Sequence, residues 1–495
     1  MQPVYAPIFL EGTEDKVEIG RQARLTPKEA LEALEAARAA WDHGKGEWPL
    51  TPFQGRIAAM EKYVKILKTK REVIVNVLMW EICKVRADAE KEFDRTIDYI
   101  NATLKAAKEC RNKESTLQDV SGVLAQVRRN PIGVMLNLGP FNYPFNETYT
   151  TLIPAILMGN TVVMKLPNVG CLAHIPTMEV FAECFPKGTV NFISGAGRET
   201  MPPIMATGHV DIFAFIGGSK AADALIKELP NPHKVKICLS LDAKNLAVVL
   251  ADADLDLAVN ECVLGSLSYN GQRCTAIKLI LVHGSILEAF TAKFTAKMAT
   301  LKAGLPWEKG VDITPLPETA KPAYLAELRE DAIAKGAKLH APGADQNWGH
   351  TLVYPTVLCP VTKDMRVWKE EQFGPLVPIG KFDDISEVVD YACTSPFGQQ
   401  AAIFTKGDVA TLGPLLDVLT NCVSRVNINT QCQRSPDNFP FSGRKSSAQG
   451  SLSVTDALEA FSIQAMVATK SANAALIQKV CDAKSSSFLT MDYTF

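Results

Sequence analysis

Ile132-Gly133-Val134-Met135-Leu136-Asn137-Leu138 is an apolar run of strand length, closed by Pro131 before it and by Gly139-Pro140 after it. Such a run suits a strand buried on both faces. Further along the chain the pattern recurs at Thr161–Leu166, Thr189–Ile193, Asp211–Ile216 and Lys234–Leu241. Between these runs, residues 147–157, 174–184 and 219–229 have helical spacing. Strand–helix alternation at this interval predicts right-handed crossovers and a parallel sheet. A second α/β set is predicted to follow, with a helix over 254–269, a strand over 278–283 and further alternation to about residue 427. Before the first strand, Thr26-Pro27-Lys28-Glu29 reads as a helix start, with Thr as cap, Pro in the first turn and Glu closing a capping box. Residues 51–107 are helical in pattern, and 114–129 is predicted to leave the sheet as a hairpin.

Composition narrows the class. A chain of 495 residues is long enough for two or three domains with a core that needs no staples. Hydrophobic residues make up 47% and charged residues 21%, which excludes disordered, collagenous and coiled-coil chains. Fifty-two basic against 54 acidic side chains leave a net charge of −2, so nothing draws the chain to nucleic acid or to an anionic membrane. The apolar stretch 152–164 is cut by Pro154, Gly159 and Asn160 and is too short to span a bilayer. Twelve cysteines without paired Cys/His spacing predict no disulfide framework and no metal site, and fit a reducing, cytoplasmic setting. The first 25 residues contain no secretory pattern.

The chemistry-bearing stretch is Gly271-Gln272-Arg273-Cys274-Thr275-Ala276, which falls between a predicted helix and a predicted strand. A turn there exposes Cys274, and the cationic Arg273 beside it is expected to raise the thiolate fraction. For a cysteine met alone, a buried apolar role is the commoner reading. Pro140-Phe141-Asn142-Tyr143-Pro144 follows the first strand at its carboxyl end, where ligands of open parallel sheets bind. The Asn142 amide can donate there to a developing oxyanion. Lys165 ends the next strand and suits a phosphate or ribose contact. Gly217-Gly218-Ser219 closes another strand and opens a helix, offering N–H groups to a pyrophosphate. Gly195-Ala196-Gly197 is a weaker signal of the same kind.

Together these features resemble the aldehyde dehydrogenase superfamily over nearly the whole chain. The landmarks occur in order: Phe141-Asn142-Tyr143-Pro144, Val163-Met164-Lys165, Phe215-Ile216-Gly217-Gly218, Gly271-Gln272-Arg273-Cys274, Glu370-Glu371-Gln372-Phe373-Gly374-Pro375 and Pro440-Phe441-Ser442-Gly443-Arg444-Lys445. The resemblance implies an α/β fold with a Rossmann-type cofactor domain (1–112 and 132–245), an α/β catalytic domain (246–445), and a small β oligomerisation arm with a C-terminal tail (113–131 and 446–495). It implies Cys274 as nucleophile, with Asn142 and the Cys274 N–H as the oxyanion hole. Lys165 and Glu371 would hold the two riboses, with Phe373 against the nicotinamide ribose. Where the family often places an acid after the strand-end lysine, this chain has Asn168, so NADP is expected, with NAD as the alternative. A homo-oligomer, dimer or tetramer, is implied, with the aromatic tail packed on a neighbouring subunit.

Within the superfamily, Gly271–Ala276 and Asn427-Ile428-Asn429 with Gln433-Arg434 and Pro436-Asp437-Asn438-Phe439-Pro440-Phe441 resemble the non-phosphorylating glyceraldehyde-3-phosphate dehydrogenases. That likeness implies a phosphorylated aldehyde as substrate, held by Arg273 and Arg434, with Tyr143 adding a hydroxyl and Arg95 matching more weakly. The chain departs from the pattern at Leu239-Ser240-Leu241-Asp242-Ala243-Lys244: Ser240 stands where the superfamily has its basic Glu. Asp242, two residues on and on the same face if the strand continues, is the expected substitute, displaced by about 7 Å. Oxidation of glyceraldehyde 3-phosphate to 3-phosphoglycerate through a Cys274 thioester is therefore the expected activity. Acyl transfer to coenzyme A is the enzymatic alternative, and a cofactor-binding protein without turnover is the non-enzymatic one.

Overall fold

The computed structural model describes residues 1–9, 16–340 and 351–491. The five apolar runs of the first set form strands Val134–Leu138, Thr161–Lys165, Val190–Ile193, Ile212–Ile216 and Lys236–Ser240. They pair in parallel, and Ala448–Gln449 adds a short antiparallel edge beside Lys236–Ser240. Val134–Leu138 is central, with Thr161–Lys165 on one side and Ile212–Ile216 on the other. The direction of winding thus reverses at its carboxyl end, where the loops beginning at Gly139 and Gly217 leave neighbouring strands. That is the topological switch point, where an open parallel sheet leaves a crevice for ligands.

The second sheet orders Lys338–His340, Thr356–Val361, Leu376–Phe382, Ile277–His283, Asn245–Val249, Gln400–Phe404 and Arg425–Ile428, all parallel except the first. The inner strands of both sheets are buried on both faces, which is why they read as continuous apolar runs rather than alternating ones. The functional loops sit at the carboxyl edge of the first sheet and at the amino edge of the second.

Helix Pro27–Trp41 begins with the expected capping box: Glu29 N–H donates to Thr26 Oγ1 and Thr26 N–H to the Glu29 carboxylate. The helical region divides into Phe53–Leu67, Arg71–Ile82 and Arg86–Lys113. These pack around helix Asn146–Leu157, which is buried at every position, in a core that includes Tyr63, Phe93, Phe145 and Tyr149. Helix Gly197–Ala206 is absent from the sequence reading, because Pro202 and Pro203 disguise its spacing.

The segment after residue 113 forms the predicted hairpin, Gln118–Val120 with Val123–Asn130, and strand Ile463–Lys470 completes a three-stranded antiparallel sheet. The tail differs from expectation. Instead of reaching outward, Phe488 and Leu489 pack against Leu117, Ile477 and Cys481 of the same chain, and Gln126 and Arg128 donate to the Thr490 carbonyl. Buried amide and guanidinium donors in the hairpin need an acceptor, and the returning tail supplies it. Residues 492–495 lie outside the described residues.

Between helix Leu255–Leu267 and strand Ile277–His283 the chain makes a tight turn with three successive left-handed residues, Tyr269, Asn270 and Gly271. Asn270 holds its conformation through bonds with Thr314 on both sides of its amide, at 3.1 and 3.0 Å. Gly271 has φ +71°, and a Cβ there would lie 2.7 Å from the carbonyl oxygens of both Ser266 and Gly374. Gly271→Ala is expected to cost about 1–3 kcal/mol through backbone strain, plus the cost of the clash. Calorimetry should show a lower melting temperature, and an unchanged one would contradict the tight fit.

Candidate active site

Asn142 stands on the loop that leaves the carboxyl end of strand Val134–Leu138, and a buried ion pair fixes that loop. Lys84 and Glu92 have fully buried side chains and bond to each other. The Lys84 ammonium also donates to the Asn142 carbonyl at 2.9 Å and lies 3.4 Å from the Tyr143 ring centroid and 4.5 Å from that of Tyr269. The other Glu92 oxygen accepts the N–H groups of Phe145 and Asn146 at 3.0 and 3.1 Å. Both ends of the loop are thus tied to one pair of charges.

Asn142 is itself buried and donates one amide hydrogen to the Gln272 carbonyl at 2.7 Å, which brings it against the turn carrying Cys274. Its second amide hydrogen has no protein acceptor among the described residues, and neither has the backbone N–H of Cys274. Two free donors beside a thiol are what an oxyanion hole requires. The Cys274 carbonyl is held from behind by Asn245 and by the Lys278 ammonium, each at 2.8 Å.

The Cys274 thiol is half-buried. Desolvation pushes its pKa up to about 11, Glu147 raises it further, and Lys278 and Arg434 pull it down. This corrects the expectation that Arg273 activates the thiol. The Arg273 guanidinium turns away, donating to the carbonyls of Gly265 at 2.8 Å and Leu264 at 3.3 Å and to Gln431 at 3.2 Å.

Arg434 and Arg95 meet at Asp437, and the charge of Arg434 reaches Cys274, but neither guanidinium is free. Arg434 pairs with Glu147, donates to the Leu452 carbonyl at 3.0 Å and has Asp437 3.2 Å from its Nε. Arg95 grips Asp437 with two bonds, at 2.7 and 3.0 Å. It is an inward ion pair joining helix Arg86–Lys113 to the loop after Arg434, not a surface one. The Tyr143 ring stands 5.9 Å from that of Tyr269, edge to face.

Asp242 is not aimed at Cys274. The strand ends at Ser240, so the two-residue repeat that would have turned Asp242 toward the thiol stops before it. Its carboxylate instead accepts the Ser219 N–H at 2.8 Å and the Ser219 hydroxyl, at the amino end of helix Ser219–Lys227. The positive end of that helix dipole attracts a carboxylate. Of the N–H groups expected to face a pyrophosphate, Gly217 donates to the Ser240 carbonyl at 3.1 Å and Ser219 to Asp242. The Gly218 N–H is left over.

Lys165 is buried at the end of its strand, beside Gly197. Its ammonium donates to the Leu166 carbonyl and has no carboxylate partner among the described residues. Burial lowers its pKa to about 8. An unpaired buried cation suits an anionic cofactor group. Asn168 is exposed and lines a cavity of about 730 Å³ walled by the N-terminal strand, Gln22, Glu81 and the 317–320 loop; Gly217, Gly218, Glu371 and Phe373 do not line it. Glu371 accepts from Lys278 at 2.7 Å and from the Ala243 N–H at 3.2 Å, and Phe373 meets Phe141 edge to face at 5.9 Å.

Sequence reasoning overlooked Lys84, Glu92, Glu147 and Lys278. For Lys278 a signal was present: a single charge inside the apolar run 276–282. Because burial disfavours the thiolate, alkylation of Cys274 by iodoacetamide in cofactor-free protein should accelerate about tenfold per pH unit from pH 7 to beyond pH 9. A rate already level below pH 8, followed on the Cys274 peptide, would contradict this environment.

The aldehyde dehydrogenase family model matches residues 11–467. An NADP-dependent glyceraldehyde-3-phosphate dehydrogenase of Streptococcus equinus is 34% identical over 478 residues, covering 94% of each chain. Among solved structures, the NADP-dependent glyceraldehyde-3-phosphate dehydrogenase of Bacillus halodurans in complex with NADP superposes with a TM-score of 0.86 at 30% identity, covering 94% of this chain and 95% of its own. A glyceraldehyde-3-phosphate dehydrogenase of Methanocaldococcus jannaschii, also complexed with NADP, gives 0.85 at 29% identity, covering 95% and 99%. With this fold, a thiol beside two open oxyanion donors and a family match over most of its length, the chain belongs to the aldehyde dehydrogenase family.

Proposed function

We propose that this enzyme oxidises glyceraldehyde 3-phosphate to 3-phosphoglycerate, with NADP accepting the hydride and NAD as a poorer substitute. The observation that carries the substrate is the charge around the nucleophile. Two guanidinium groups, Arg95 and Arg434, interlock with two carboxylates, Glu147 and Asp437, near Cys274. Guanidinium forks match phosphate oxygens, which suits an anionic aldehyde. The relatives named above act in the same sense.

The chain's own groups divide the work. Cys274 attacks the aldehyde carbon as thiolate, and the Asn142 amide and the Cys274 N–H receive the oxyanion. When bound, the nicotinamide supplies a hydride acceptor and so leaves a thioester on Cys274. Lys165, with no acid beside it and a neutral Asn168 following, suits the charge of a phosphorylated ribose, and Glu371 and Phe373 approach from the opposite side. Residues 1–112 with 132–245 would form the cofactor domain, 246–445 the catalytic domain, and 113–131 with 446–495 the arm. Val120, Val123, Ile463, Met466 and Val467 are exposed on the three-stranded sheet, which supports a homo-oligomer joined through it. Free, scattered thiols fit a cytoplasmic enzyme.

A second reading, acyl transfer to coenzyme A, draws on Ser240, which cannot accept a proton at neutral pH, and on the engagement of Asp242 by Ser219. An aldehyde panel with NADP and NAD, with and without coenzyme A, separates the two. The proposal expects acid product without an acyl acceptor. In the same assay Arg95→Ala and Arg434→Ala should each raise KM for glyceraldehyde 3-phosphate roughly tenfold to a hundredfold, and KM for glyceraldehyde far less, because a lost charge-assisted bond costs about 1.5–3 kcal/mol. Equal losses on both aldehydes would make these arginines structural and remove the phosphate.

A further inference from the structure

Hydrolysis of a thioester on Cys274 needs a group that takes a proton from the attacking water, within hydrogen-bond reach of it or through one more water. Ser240 cannot serve, and Asp242 is spent on the amino end of helix Ser219–Lys227. The charges of two carboxylates, Glu147 and Glu371, raise the Cys274 thiol's pKa, Glu147 the more strongly. Glu371 is held on its Oε1 by both Lys278 and the Ala243 N–H, on the side of the site assigned above to the cofactor.

Glu147 is placed differently. It lies in the first turn of helix Asn146–Leu157, directly after the loop that carries Asn142, and its N–H donates to the Tyr143 carbonyl at 3.1 Å. Its side chain is 7% exposed. Arg434 engages Oε2, while Oε1 accepts no hydrogen bond among the described residues. Arg434 is itself immobilised, by the Leu452 carbonyl at 3.0 Å, by Asp437 and by the Phe441 ring 4.5 Å from its guanidinium carbon. The carboxylate is therefore held rigidly in the pocket, kept in a charged environment by a fixed cation, with one oxygen open.

We propose that Glu147 is the general base of the second half-reaction, a catalytic residue in the helical turn that follows the Asn142 loop. Its Oε1 removes a proton from water as the water oxygen bonds to the acyl carbon. The carbon–sulfur bond then breaks, the electron pair returns to Cys274 as thiolate, and the acid leaves. No redox change occurs in this step, since the hydride has already left. The assignment rests on the hydrolytic reading above.

The test is rapid-mixing kinetics on the full-length enzyme with NADP and glyceraldehyde 3-phosphate. Glu147→Gln should keep a burst of about one NADPH per active site and lower the steady state a hundredfold or more, the usual scale of a lost general base. Hydroxylamine, a nucleophile that needs no base, should restore much of the steady rate in the variant and change the wild type little. Adding Ser240→Glu to Glu147→Gln should recover hydrolysis by restoring a carboxylate at the superfamily's position. A steady rate within a few-fold of wild type overturns the proposal, as does loss of the burst in a folded variant. If Glu147→Gln fails to fold, Glu147→Asp replaces it: a slowed steady state with an intact burst supports the base, and equal rates overturn it. Should the wild type itself release no acid until coenzyme A is added, the hydrolytic reading falls instead.

Discussion

The site depends on the buried pair of Lys84 and Glu92. Two charges without solvent exposure are expensive to bury, and burial lowers the Lys84 pKa while Glu92 raises it. The pair is tolerated because every valence is used. Lys84 reaches the Asn142 carbonyl and two aromatic faces; Glu92 reaches two backbone N–H groups of the same loop. Removing one partner of such a pair typically costs about 3–5 kcal/mol, far more than the pair contributes over an apolar replacement. Its value is positional: it sets the Asn142 amide against the turn that presents Cys274, across the junction of the two sheets.

That junction explains why a thiol with a raised pKa is compatible with catalysis. In the proposed mechanism two open donors receive the adduct's oxyanion, which would favour the state after attack over the free thiolate. Lys278 contributes twice, bonding the Cys274 carbonyl from behind and lowering the thiol's pKa from within the sheet. The pocket beyond is an alternating array of fixed charges, in which each guanidinium that could meet an anion already has a carboxylate or carbonyl to hold it in place.

Much of this was legible in the sequence. Doubly buried strands write themselves as apolar runs, and the Thr26 capping box is a local signal that no tertiary context overrode. Asn142 and Cys274 stood out at a strand end and a turn, and the likeness of their motifs to the aldehyde dehydrogenases supplied their roles. What failed did so for identifiable reasons. Asp242 was read as strand, but the strand stops at Ser240, and the helix beginning at Ser219 claims its carboxylate. Arg273 was judged by adjacency along the chain, whereas its side chain points to the carbonyls of the preceding helix. Lys84 and Glu92 hold a loop 58 and 53 residues further on, and Glu147 pairs with Arg434, 287 residues away; such pairings have no local signature.

The central claim is that turnover passes through an acyl group on Cys274. Mass spectrometry of protein quenched in acid during steady turnover with NADP and glyceraldehyde 3-phosphate tests it most directly. Trypsin releases residues 274–278 as a peptide of their own, cutting after Arg273 and Lys278. The account predicts a phosphoglyceryl adduct on that peptide and on none of the other eleven cysteines. An unmodified Cys274 peptide during turnover, or an adduct on another thiol, would contradict it.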